Sequence, residues 1–122
     1  VVLVDTSVWI ALYRKRTSAV GERLWQLAAG NQAAVCGQIW VEFIGGFRRE
    51  RERAEYEEAL SAFPFLTTSR AAFTTAGRCL ARYPRLGPGD AIIAATAIEN
   101  GASLYTLDTD FRLLAREGLQ VI

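Results

Sequence analysis

The sequence has no histidine and no methionine, a single lysine, three prolines and two cysteines in 122 residues. Without histidine there are no imidazole bases, no histidine metal ligands and no serine–histidine triads. The lone lysine, Lys15, stands in Arg14-Lys15-Arg16, outside any GxxxxGK(S/T) setting, which excludes a nucleotide-binding P-loop. Cys36 and Cys79 lie among apolar neighbours without the paired spacing of a zinc site, so they read as buried reduced thiols. No apolar run approaches the roughly 18–20 residues of a bilayer span, and Asp5 cuts off the opening Val1–Val4. Neither a membrane span nor a signal peptide is expected, and a cytoplasmic location follows. Carboxylates, hydroxyls and a metal ion remain available for chemistry.

Hydrophobic residues make up 51% of the chain, enough to close one core, and residues 1–122 read as a single domain. The net charge is only +1, but thirteen of the fourteen cations are arginine, the residue suited to planar pairing with carboxylate or phosphate. An arginine-preferring genome accounts for the same bias.

Val1–Val4 is an apolar β-branched run of the kind found in buried strands, and a helix follows it directly. A second helix from about Ser18 stops at Gly30, and Ala33–Cys36 is a short strand. Gln38 to about Phe47 reads as helical, continuing into a charged, exposed helix over Arg48–Glu58. Phe65–Thr67 is a strand, Ser69 caps a helix that ends at Pro84, and Leu86–Gly89 is a tight turn. Asp90 opens an almost wholly apolar helix, Ala91–Ile98, that must be buried on most sides. Ser103–Thr106 is a strand, Phe111–Glu117 is amphipathic, and Leu119–Ile122 makes a last strand. Short apolar strands alternating with helices predict a parallel sheet covered on both faces, with ligands at the carboxyl ends of its strands near a switch in strand order.

The four aspartates, Asp5, Asp90, Asp108 and Asp110, all fall at junctions leading into helices. Helix capping explains any one of them alone. Glu42 is different, because it sits within Ile39-Trp40-Val41-Glu42-Phe43-Ile44 while most other glutamates lie on charge-rich helices. A carboxylate among large apolar residues needs a partner or a metal, unless it points outward from its helix. Several carboxylates drawn together repel one another, and magnesium or manganese, which prefer hard oxygen ligands, would neutralise them. Such an ion suits phosphodiester hydrolysis by metal-activated water.

The chain resembles the PIN-domain family, most closely its VapC-like toxins. The resemblance is carried by Val2-Leu3-Val4-Asp5-Thr6-Ser7-Val8-Trp9-Ile10, Glu42, Gly89-Asp90-Ala91-Ile92-Ile93-Ala94-Ala95-Thr96-Ala97 and Leu104-Tyr105-Thr106-Leu107-Asp108-Thr109-Asp110-Phe111. It implies a three-layer α/β/α sandwich around a mainly parallel sheet. It also implies catalysis by Asp5, Glu42, Asp90 and Asp108, with Asp5 and Asp90 as the principal ligands of Mg2+ or Mn2+. Glu42 and Asp108 would complete the inner or water-mediated shell, and Thr6, Ser7 and Thr106 would orient water and phosphate. Asp110 reads as a cap of the helix after it. The implied reaction is endonucleolytic cleavage of RNA to a 5′-phosphate and a 3′-hydroxyl, inhibiting translation. The implied partners are a VapB-like antitoxin and a second copy of the chain in a homodimer.

A haloacid-dehalogenase-like phosphatase would need an acid at position 7, which is serine, and a downstream lysine; a receiver domain would need adjacent early acids and a late lysine. The rival from another class is a non-catalytic PIN-like module that binds RNA or protein, its acids serving as caps. Glutamates interleaved in Arg48–Arg53 argue against a phosphate-binding patch there and for a solvated face or an antitoxin contact. Arg82 and Arg85, close to Asp90, are better placed to meet substrate. Trp9 and Trp40 read as core or dimer-interface aromatics, and Trp25 is ambiguous.

Overall fold

Three consecutive apolar residues bury all their side chains only in the middle of a sheet, and Val2–Val4 (β1) lies there, buried throughout. A computed structural model describes residues 1–15 and 17–122; Arg16, from the basic run, lies outside them. β1 pairs in parallel with Ala33–Cys36 (β2) on one side and with Ser103–Tyr105 (β4) on the other, while Phe65–Leu66 (β3) pairs with β2 at the edge. The strand order is therefore β3-β2-β1-β4, all parallel. The last strand expected, over Leu119–Ile122, reduces to one bridge between Leu104 and Val121, flanked by hydrogen bonds of 2.8 and 2.9 Å from Leu104 N–H to Gln120 O and from Ile122 N–H to Leu104 O.

The connections are helical: Thr6–Arg14 (α1) and Ala19–Ala29 (α2), Gly37–Ile44 (α3) and Glu50–Ser61 (α4), then Arg70–Arg82 (α5) and Gly87–Glu99 (α6). Steps from β1 to β2 and from β2 to β3 run one way across the sheet, and the step from β3 to β4 runs back. Because such crossovers are right-handed, α1–α4 cover one face and α5–α6 the other, giving three layers. The α5–α6 contact is made by small residues, Ala72 and Ala76 against Ala91 and Ala95. Helix α6 is the one read as buried on most sides, and Ala91, Ile93, Ala94, Ala95, Thr96 and Ala97 are indeed buried.

Three local expectations need correction. Gln38 to Glu58 is not one helix: Gly45-Gly46 ends α3, a Cβ at Gly45 falling 2.6 Å from the Val41 carbonyl oxygen, and α4 restarts at Glu50. The turn expected over Leu86–Gly89 is a 3-10 turn, Pro84–Leu86, followed by the first turn of α6. Proline fits that first turn because the N–H it lacks has no partner inside a helix. Asp90 thus sits inside the first turn of α6 rather than at its start. The amphipathic segment is Thr109–Glu117 and is 3-10 helical, ending at Gly118, whose φ of 98° favours glycine.

Trp9 is buried, its Nε1–H donating to the Val4 carbonyl at 3.1 Å, and its ring meets Phe63 edge-on at 5.2 Å. Trp40 packs against the core, whereas Trp25 is exposed. Both cysteines are free and buried, and burial pushes both thiols up. Among the described residues no helix is long and apolar enough to cross a membrane.

Candidate active site

After β1 the chain leaves toward β2 on one face; after β4, on the other side of β1, it leaves on the opposite face. A crevice opens where neighbouring strands part in this way, so the topology places it beyond the carboxyl ends of β1 and β4. The register Val4↔Tyr105 sets Asp5 beside Thr106 at that crevice, and Asp5 N–H extends the ladder to the Tyr105 carbonyl at 2.9 Å.

Asp5 is 4% exposed and caps α1. Its Oδ2 accepts from Ser7 Oγ at 2.7 Å, from Thr106 Oγ1 at 2.8 Å and from Ser7 N–H at 3.4 Å. The two hydroxyls are themselves held: Ser7 Oγ accepts from Leu107 N–H and Thr106 Oγ1 from Asp108 N–H, each at 3.0 Å. A hydroxyl that accepts from a backbone N–H turns its own proton elsewhere, here toward Asp5. Both protons therefore converge on one carboxylate oxygen, and among the described residues Oδ1 accepts no hydrogen bond.

Glu42, on α3, is partly exposed. Thr6 Oγ1 donates to its Oε1 at 2.6 Å and Gln38 Nε2 to its Oε2 at 2.9 Å, which are the partners its apolar sequence setting demanded. A Cβ at Gly89 would collide with Glu42 Oε2 and stand 3.0 Å from Gln38 Nε2, so glycine leaves room for the Glu42 carboxylate to sit as it does where α6 passes α3. Asp90 follows at once. Its carboxyl is pushed up to about 6, first by burial and then by the charges of Asp5, Asp108, Glu42 and Asp110. These neighbours show that acids distant in sequence share one space. Among the described residues Asp90 makes no side-chain hydrogen bond or ion pair.

Asp108 caps the Thr109–Glu117 segment, its Oδ1 accepting from Asp110 N–H at 2.9 Å. The cap assigned to Asp110 thus belongs to Asp108, because it is Asp108 that has the extended backbone preceding the helical turn. Asp110 lies 3.5 Å from Arg85 NH2. Arg82, placed with Arg85 near substrate by sequence, is instead tied to Glu117 at 2.7 Å. Thr6, Ser7 and Thr106, assigned to water and phosphate, each donate to a carboxylate here. Sequence reading missed Gln38 and Gly89. The spacing of Gln38 one helical turn before Glu42 was the available signal for the first.

A parallel sheet with acids at its switch point defines a class, and residues 2–117 match the family model described as PIN domain: the chain belongs to the PIN-domain family. Among curated proteins it is similar to Ribonuclease VapC11 of Mycobacterium tuberculosis, 28% identical over 123 residues covering 94% of this chain and 92% of the relative. Among solved structures, a toxin–antitoxin complex from Klebsiella pneumoniae aligns with a TM-score of 0.72 and 27% identity, over 91% of this chain and 90% of the other. VapBC2 from Rickettsia felis, solved bound to a promoter DNA fragment, shares the fold with a TM-score of 0.78 at 18% identity, over 99% and 96% of the two chains.

Proposed function

We infer that the chain is a magnesium-dependent endoribonuclease, manganese being the alternative ion, and the toxin of a VapB–VapC-like pair in the cytoplasm. The observation that carries the reading is the gathering of Asp5, Glu42, Asp90 and Asp108 from four separate elements at one switch point, with Asp90 repelled by all the others. Ribonuclease relatives of nearly full length support the reaction, and neighbours solved as toxin–antitoxin complexes support the partner.

The donor set fits a hard cation. Every candidate ligand is a carboxylate oxygen, and among the described residues Asp5 keeps Oδ1 free of hydrogen bonds and Asp90 has no hydrogen-bond or ion-pair partner. Among the described residues no three acids are grouped tightly enough to hold an ion by themselves. Magnesium keeps several waters and is bound through only one or two protein carboxylates. Asp5 and Asp90 would hold it, with Glu42 and Asp108 acting through water. The chemistry such an ion would supply is a lowered pKa for a bound water and an offset to charge on the phosphoryl group. For their part, Ser7 and Thr106 fix the Asp5 carboxylate, Thr6 and Gln38 fix Glu42, and the backbone of residues 107 and 108 ties the two strand ends together.

The competing reading, a non-catalytic module whose acids are caps, accounts for Asp5 and Asp108, which do cap helical turns. It leaves Asp90 unexplained, since among the described residues Asp90 caps nothing and makes no side-chain hydrogen bond or ion pair, whereas Glu42 has partners in Thr6 and Gln38. A homodimer is part of the proposal; the exposed apolar side chains of Val41, Phe65 and Phe73, which line one uncharged groove, supply a face for it.

The test is cleavage of single-stranded RNA by purified protein with magnesium, manganese or EDTA, comparing the parent with Asp5→Asn and Asp90→Asn. We expect ion-dependent cleavage that both substitutions abolish. Cleavage that persists in EDTA, or in both variants, refutes the site; RNA binding without cleavage supports the non-catalytic module.

A further inference from the structure

The run Arg48–Arg53 reads in the sequence as one charged face, and the structure divides it three ways. Arg53 turns back to donate to the Phe47 carbonyl at 2.6 Å. Arg51 lies in solvent, 3.8 Å from Glu55, with its side chain 95% exposed. Arg48 and Arg49 stand on the connection between α3 and α4, and with Arg14 at the end of α1 they line a groove that Glu42 also lines. Among the described residues none of these three arginines is ion-paired.

The groove also has an aromatic floor. Tyr13 is 42% exposed and stands edge-on to Phe47 at 5.2 Å, its hydroxyl donating to Glu52 at 2.8 Å. Its two acids are engaged, Glu52 by Tyr13 and Glu42 by Thr6 and Gln38. Unpaired cations and a fixed aromatic ring lining one groove are what an unpaired nucleic-acid strand requires: guanidinium groups for its phosphates and a ring for a base.

We propose that this groove holds the RNA strand on one side of the scissile phosphate, with Arg48 and Arg49 on backbone phosphates and the Tyr13 ring beneath a base. The assignment rests on the ribonuclease reading. Continuity decides the occupant, because Glu42 both lines the groove and belongs to the acids around Asp90, so a strand lying in the groove adjoins them. The interleaved glutamates that argue against phosphate binding in the sequence lie on α4, beyond the two arginines that matter; of them only Glu52 reaches the groove, and Tyr13 holds it.

The experiment measures binding of a fluorescently labelled, mixed-sequence single-stranded oligoribonucleotide by anisotropy in EDTA, across a series of KCl concentrations. Arg48→Gln/Arg49→Gln should weaken binding about tenfold and make the log Kd against log salt slope shallower by about 1.4, two phosphate contacts at about 0.7 each. Tyr13→Leu should lose roughly fivefold or more, and Tyr13→Phe, which keeps the ring but releases Glu52, should lose less than Tyr13→Leu. Arg51→Gln, on the solvated side, should change neither affinity nor slope. An unchanged slope in the double variant overturns the proposal, as does an equal effect from Arg51→Gln. A double variant that keeps RNA affinity but no longer binds the antitoxin assigns the groove to a protein partner and equally overturns it. If the parent cleaves RNA with magnesium while the double variant keeps its slope, only the groove assignment falls; a parent that does not cleave removes the ribonuclease reading itself.

Discussion

Replacing Asp90 with asparagine should stabilise the metal-free protein while abolishing its activity. In the folded chain the Asp90 carboxyl titrates at about 6, against 3.8 for the free side chain, because it is partly buried among other acids. The folded state therefore binds this proton more tightly than the unfolded state, so ionisation works against folding. That penalty is absent below about pH 4, grows as pH rises through 6, and is complete above it. The full gap corresponds to about 3 kcal/mol. Since the group is only partly buried, screening by water reduces this to roughly 1–2 kcal/mol. Asparagine keeps the shape and cannot ionise, so thermal melts in EDTA at pH 7.5 should show Asp90→Asn melting roughly 4–8 °C above the parent. The gap should nearly close at pH 4.0, where the parent carboxyl is neutral as well. Added magnesium should raise the melting temperature of the parent and not of the variant. A variant that melts below the parent at pH 7.5, or a gap that persists at pH 4.0, would refute the like-charge account of the site.

Other substitutions probe the surrounding framework. Ser7→Ala and Thr106→Val each remove a donor from buried Asp5 and should destabilise the protein by about 1–3 kcal/mol in denaturant unfolding. Thr106→Ser keeps the hydroxyl and should restore most of both stability and cleavage. Gly89→Ala drives a Cβ against the Glu42 carboxylate, so cleavage should fall on the order of 10–100-fold, with RNA affinity in EDTA close to the parent's. Wild-type kcat for this variant would refute the idea that cleavage depends on the Glu42 carboxylate staying in this position. Phe111 is fully buried, and Phe111→Ala should lose about 3–5 kcal/mol in the same unfolding experiment.

How much of this was legible beforehand depended on the kind of signal. Strands β1 and β2 and helix α6 were readable because burial on all sides leaves an uninterrupted apolar run. The break between α3 and α4 was not, since the amphipathic and charged patterns on either side of Gly45-Gly46 are both helical and only the tight turn at Gly45 separates them. The final strand was overread for the opposite reason: Leu119–Ile122 has strand composition, but only Val121 is in register with Leu104. Asp110 was misassigned because two acids two residues apart are equivalent in a string. The backbone alone shows which one precedes the first helical turn.

The candidate acids can be proposed from the sequence, whereas their supports cannot, and the difference is physical. A sequence without histidine that places Asp5, Asp90 and Asp108 at junctions and Glu42 in an apolar stretch already limits the chemistry to carboxylates. Nothing in it says which way a hydroxyl proton points. That direction is decided by the N–H groups of Leu107 and Asp108, which occupy the lone pairs of Ser7 and Thr106 and so turn both protons toward Asp5 Oδ2. Because the same two N–H groups belong to the segment carrying Asp108, the Asp5 and Asp108 carboxylates are held in one hydrogen-bonded unit although 103 positions separate them. Asp90 belongs to no such unit and carries the raised pKa. The site thus combines one carboxylate held by two hydroxyl groups with one left unsatisfied among the described residues, and the unsatisfied group is where an incoming cation would gain most.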